Sequence, residues 1–258
     1  MRNDRKISFL IFFVLFTVFF YGNSPYLVKD KIVSNNDSYD KYIIDLVEET
    51  SDDSEEINQK QMKKDIKSLK EEYQNDDIQA ILRIKGTNYE QIIPQADNNK
   101  FYLKKGLNKK YDINGTPFLD YRVNINNSRK LLIYGHNSSQ IKMPFKILEN
   151  YYDESYFKKH PFIELETESG IKTYEIFSVY VETKDFSYFN KIMFKNNDEL
   201  KKHVDVLKSK SFYDTGVEVS KTDNILILQT CSTMSKYKDL KKKYLLIISK
   251  EIDYEKIY

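Results

Sequence analysis

Apolar positions along this chain fall into short runs punctuated by turn residues. "IQAILRIKG" (78–86) and "YEQIIPQ" (89–95) read as strands, the second ended by Pro94. "KLLIYGH" (130–136) reads as a buried strand ending at Gly135. "FIELETESGIKTYEIFSVYVET" (162–183) has the pattern of a hairpin around Glu168, Ser169 and Gly170, and "NILILQT" (224–230) and "YLLIISKEI" (244–252) form the last two strands. Between them, Asn114-Gly115 is a turn signal. "MPFKILENYYDESYFKKHP" (143–161) is a short helical stretch, and "NDELKKHVDVLKSKSFYD" (197–214) is amphipathic with a helical period. Strands dominate, so the pattern predicts a mostly β fold, a closed or nearly closed β-barrel with short helices.

Residues 29–77 have a different texture. Tyr42, Ile43, Leu46 and Val47 share one helical face, and Ile57, Met62, Ile66 and Leu69 make a second, thinner stripe. They predict a charged helical lead-in to a barrel that spans 78–258. Residues 1–28 begin with "MRNDRK", followed by an uncharged stretch from Ile7 to Val28. The pattern predicts a cytoplasmic tip and a single membrane anchor, with Arg2, Arg5 and Lys6 inside and the rest of the chain outside the cell. A cleaved signal peptide is the alternative, but small residues at a cleavage site are missing.

Composition narrows the function. Lys and Arg total 41 against 39 Asp and Glu, a formal net charge of +2, which gives no basic field for nucleic acid. With one cysteine the chain has no internal disulfide and no thiolate zinc cluster. The three histidines lack metal-ligand spacing, and no metal or organic cofactor is expected. A single thiol on an outward-facing protein is a candidate nucleophile, with a small buried apolar residue as the plain alternative.

A nucleophilic thiol needs a base, donors for a developing oxyanion and a groove for the acyl group. Cys231 stands at the end of "NILILQT", and His136 stands just past "KLLIYG". Each thus occupies the polar end of a buried strand. His160, in "KKHPF", and His203, in a Lys-rich helix, read as surface residues.

"YGHNSS", "MPFKILENYYDESYFKKHPFIELET" and "ILILQTCST", followed by a basic segment and a strand, resemble the sortases. These are membrane-anchored cysteine transpeptidases of Gram-positive surfaces. "FYLKKGLNKKYDINGTPFLDYR" and the long segment between the two motifs are most similar to class B. The resemblance covers 78–252 and implies a sortase-like barrel. It also implies that Cys231 attacks a C-terminal sorting motif, that a thioacyl enzyme forms, and that an amine resolves it. That amine would be a cell-wall precursor or a surface or pilin subunit. His136 would act as acid and base. Tyr134, Thr230, Asn99, Leu103 and Tyr188 would line or shape the substrate groove.

One feature departs from the pattern. Sortases carry an arginine at the start of the strand after the cysteine, and this chain has none after Arg129. "KDLKKKYLLIISK" stands there instead. Lys243 is the nearest match, with Lys241, Lys242 and, on strand parity, Tyr244 as alternatives. Lysine offers charge without the planar fork of arginine. The competing functions are therefore a sortase-fold peptide-binding module with little turnover, and a hydrolytic peptidase or surface protein unrelated to sortases.

Overall fold

A computed structural model describes residues 65–253. The helices expected before Asp65 and the anchor expected over 1–28 lie outside the described residues. The expected membrane placement is corrected: among the described residues, no helix is long and apolar enough to cross a membrane.

The strands are β1 (Ile78–Ile84), β2 (Glu90–Pro94), β3 (Phe118–Leu119), β4 (Lys130–Tyr134), β5 (Phe162–Thr167), β6 (Gly170–Glu182), β7 (Ile225–Cys231) and β8 (Tyr244–Ile252). The helices are α1 (Ile66–Tyr73), α2 (Glu154–Lys159), α3 (Phe186–Phe189) and α4 (Asn197–Ser209), with 3-10 segments at Phe101–Lys104, Lys146–Tyr152 and Ser235–Tyr237. The eight strands form one sheet in the order β2-β1-β5-β6-β8-β7-β4-β3. Its two edges approach each other: Gln95, just past β2, donates to the carbonyls of Asp120 (2.7 Å) and Val123 (2.8 Å), just past β3. The result is the mostly β, nearly closed barrel that the strand pattern predicts.

Burial explains why some runs alternate and others do not. In β5, Ile163 and Leu165 face the barrel interior, while Glu164 and Glu166 face out and pair with Lys85 (2.8 Å) and Arg83 (2.6 Å) of the β1 side. Strands β4, β7 and β8 are covered on both faces, so their apolar residues are consecutive. Leu131, Ile133, Leu226, Leu228, Leu245 and Ile247 fill the barrel. Leu132, Ile225, Ile227, Leu246 and Ile248 meet Leu200, Val204 and Leu207 of α4. Asn196 caps α4 by accepting from the Glu199 amide (2.9 Å), and Asp198 and Glu199 in the first turn complement its dipole. Helix α1, capped by Asp65, packs Ile66 and Leu69 on Ile78 and Ile81 of β1.

His203 is not a surface residue. Its place between Leu200, Val204 and Leu207 puts it on the buried face of α4, where it is 3% exposed. His160 is half-buried, its Nδ1 3.2 Å from the Lys85 carbonyl and its ring against Tyr156.

Candidate active site

The site is built on the sheet's parallel pairing. Strands β4 and β7 run side by side in register, Tyr134 opposite Gln229, while every other neighbouring pair is antiparallel. Parallel strands end at the same rim. Residues far apart in sequence, Gly135-His136 and Thr230-Cys231, therefore leave the sheet together. Two bonds hold the ends: the Gly135 amide donates to the Gln229 carbonyl (3.0 Å), and Thr230 Oγ1 donates to the Gly135 carbonyl (2.8 Å). Position 135 must be glycine, because a Cβ there would stand 2.5 Å from the Phe145 ring.

His136 has a fixed tautomer. Its Nε2 lies 2.7 Å from the Leu103 carbonyl, which can only accept, so Nε2 carries a proton. Nδ1 is left without a partner among the described residues and is the nitrogen able to exchange one. Cys231 is exposed at the rim. Enough protein surrounds its sulfur that desolvation raises the thiol above its ordinary 9.0, an effect the Lys243 ammonium partly offsets. At neutral pH the free cysteine is a thiol that needs a base to react.

The turn after Cys231 is strapped from below. Glu149 accepts from the Thr233 amide (2.8 Å) and hydroxyl, and from Lys146. Burial alone would raise this carboxyl, but those donors outweigh it and hold it below its ordinary range. Tyr152 bonds Ser232 (2.7 Å), and Asn137 Nδ2 donates to the Cys231 carbonyl (2.9 Å). These contacts fix the backbone that follows the sulfur.

Cys231 and His136 open into a cleft of about 520 Å³. Asn99, Leu103 and Tyr134 line it with them, as do Phe118, Phe186 and Phe189. Three of its lining residues, Asn99, Tyr134 and Asn190, join a polar network. The buried Asp120 carboxylate accepts from Arg122 (2.7 and 2.8 Å) and Asn99 (2.9 Å), and the Tyr134 hydroxyl stands 2.7 Å from it. Asn190, which also lines the cleft, approaches Tyr134 and Arg122. Burial would raise Asp120, yet Arg122 and its other donors keep it below its ordinary value.

Three residues singled out by the sequence do not line the cleft. The Thr230 hydroxyl serves the β4–β7 tie, and its residue is fully buried. Tyr188 stacks on His203, 4.7 Å between ring centres. Lys243 gives its ammonium to the carbonyls of Tyr237 (2.8 Å) and Lys238 (2.9 Å). Among the described residues, no group of three or more His, Cys, Asp or Glu could hold a metal ion.

The family model for the sortase domain matches residues 82–250. The chain belongs to the sortase family. Sortase B of Staphylococcus aureus is 29% identical over 158 residues, which cover 61% of this chain and 64% of that protein. Sortase B of Listeria monocytogenes is 34% identical over 167 residues, which cover 63% of this chain and 66% of that protein. The chain thus spans just under two thirds of the length of these curated relatives. The crystal structure of Clostridium perfringens sortase B is 31% identical, with a TM-score of 0.65, and the match covers 72% of this chain and 99% of that one. The likeness is to class B.

Sequence reasoning did not find Asp120, Asn190, Glu149 or Asn137 in this sortase. The spacing of Asp120 and Arg122 in "FLDYR" was the one local signal; Asn190 and Glu149 meet their partners only through the fold.

Proposed function

We infer that this sortase is a class B-like cysteine transpeptidase. It cleaves a C-terminal sorting motif of secreted proteins and passes the acyl group to an amine. The observation that carries this reading is the parallel β4–β7 pairing. It brings the strand ends that carry Cys231 and His136 to one rim, where His136 rests Nε2 on a carbonyl and leaves Nδ1 unpartnered among the described residues, which supports this reading.

The chemistry follows from those two residues. A peptide binds with its scissile carbonyl over Cys231. Nδ1 of His136 takes the thiol proton as sulfur attacks the carbonyl carbon. The tetrahedral intermediate collapses, the C–N bond breaks, and the imidazolium returns that proton to the leaving amine. A thioester remains on Cys231. An acceptor amine, from a cell-wall precursor or a surface or pilin subunit, then loses a proton to His136 and attacks the thioester. Sulfur leaves as the thiol.

Intact-mass spectrometry of the full chain mixed with a panel of sorting-motif peptides tests this. The expected result is an acyl adduct on the wild type that is absent from Cys231→Ala and strongly reduced in His136→Ala. Peptide binding with no adduct, while Cys231 still alkylates, would favour the alternative of a binding module with little or no turnover, for which the absence of an arginine from the cleft lining among the described residues speaks.

A further inference from the structure

The attack on a carbonyl puts negative charge on oxygen, and that oxygen needs donors that are not already engaged. Around Cys231 most donors are taken. The Ser232 amide bonds the Lys243 carbonyl (2.9 Å), and the Thr233 amide bonds Glu149 (2.8 Å). The Met234 amide goes to Ser232 Oγ and the Thr230 hydroxyl to Gly135. The Asn137 amide nitrogen is on the Cys231 carbonyl, and the Lys243 ammonium is on Tyr237 and Lys238.

Strand register points to another group. Cys231 pairs with Tyr244 across the β7–β8 ladder. Because the Ser232 amide bonds the Lys243 carbonyl, Cys231 and Tyr244 form a non-hydrogen-bonded pair, in which directly opposed side chains come closest, roughly 4.5–5.5 Å between Cβ atoms. Both side chains line the same cleft. The Tyr244 ring is held edge-on by Phe186 (5.2 Å between centres) and Phe189 (6.2 Å). Its hydroxyl bonds no other described residue. Three further cleft-lining groups keep donors that bond no other described residue: Lys242, Gln229 and the side-chain amide nitrogen of Asn190. Lys242 is exposed, with its ammonium 5.6 Å from the Phe186 ring centre. Gln229 lies one strand position before Thr230, two residues from the sulfur.

We propose that Tyr244 is a catalytic residue of this enzyme: its phenol donates a hydrogen bond to the carbonyl oxygen of the scissile peptide as Cys231 attacks. The Sγ–C bond forms, the carbonyl π electrons move to oxygen, and the phenol keeps its proton. The thiol proton goes to His136 and then to the leaving amine. Tyr244 thus stands where charge develops, in a cleft that no arginine lines among the described residues. This rests on the transpeptidase reading above.

The test is the single-turnover rate of acyl-adduct formation by the full chain with a sorting-motif peptide. Tyr244→Phe keeps the ring and its aromatic packing and removes only the donor. It should slow acylation by about 10²-fold, the usual cost of one lost oxyanion donor, with peptide affinity changed less than about threefold. Lys242→Ala and Gln229→Ala, which also line the cleft, should each slow acylation less than Tyr244→Phe does. A fluorinated tyrosine at position 244, a stronger donor of the same shape, should acylate faster than Tyr244→Phe and at least as fast as wild type. A Tyr244→Phe enzyme that acylates at the wild-type rate would overturn the proposal and leave the transpeptidase reading standing. So would a larger loss in Lys242→Ala or Gln229→Ala. A wild type that forms no adduct with any peptide would instead sink the reading on which the proposal rests.

Discussion

Strand β4 has a histidine at each end, and the two ends differ in what the second ring nitrogen meets. Past its last residue, His136 rests Nε2 on the Leu103 carbonyl and leaves Nδ1 unpartnered in the cleft. At its first residue, the buried Lys130 points its ammonium at Nε2 of His203 (2.9 Å) and at the carbonyls of Phe189 and Lys191 (2.8 Å for the latter). Tyr188 and Phe194 wall the His203 ring, and its Nδ1 is buried without a hydrogen-bond partner among the described residues. Burial, and then the neighbouring Lys130 charge, push His203 down to about 3. One ring keeps a nitrogen open to the cleft; the other is locked neutral and braces the cleft wall. Burial and the group facing each nitrogen decide the role, not the residue type.

The largest expected effect separates these ends. His136→Ala should slow acylation of Cys231 by about 10³-fold, within the range for a lost general base. His203→Gln should leave the rate within about threefold. Single-turnover intact-mass kinetics on both variants checks this, and equal losses would erase the distinction.

A second effect concerns stability. Lys130→Met keeps the side chain's length but strips the donor from the buried Phe189 carbonyl, the partly buried Lys191 carbonyl and His203. The expected cost is about 2–4 kcal/mol, by analogy with unsatisfied buried acceptors. Urea unfolding should show a lower midpoint at unchanged slope. An unchanged midpoint would mean that the wall stands without the lysine.

The smallest effect is a pH dependence. A histidine whose folded pKa is depressed binds a proton only in the unfolded chain over the interval below its ordinary 6.5. Its contribution to stability is complete above that pH and falls as pH drops toward 3. Between pH 6.5 and 5, before most carboxylates titrate, wild type should lose stability while His203→Gln stays flatter. Parallel curves from urea midpoints at several pH values would contradict the buried neutral assignment.

Much of the fold was legible because burial writes itself into sequence. β4, β7 and β8 are covered on both faces and appear as unbroken apolar runs. β5 is covered on one face and alternates. His203 was misread because its lysine neighbours dominate the composition, although its spacing from Leu200, Val204 and Leu207 places it inward. The four-residue helix α3 is too short to leave a period. Lys130 looks like any strand-edge lysine, since its acceptors lie about 60 residues or more away in the chain. The same holds at the site. Cys231 and His136 each mark a strand end, but only the parallel register brings those ends to one rim. The four candidates from Lys241 to Tyr244 could not be separated by composition. Register sets Tyr244 opposite the sulfur and turns Lys243 to the carbonyls of the preceding turn.

The central claim is transfer of an acyl group from Cys231 to an amine, and a chase experiment tests it most directly. The full chain is loaded with a sorting-motif peptide, the adduct is confirmed by intact mass, and oligoglycine or a lysine-containing peptide is added. The account predicts that the adduct mass disappears faster as amine concentration rises and that the ligated peptide appears in equal amount. An adduct that decays at one rate whatever the amine, releasing only the free acid, would contradict it and make this sortase a hydrolase.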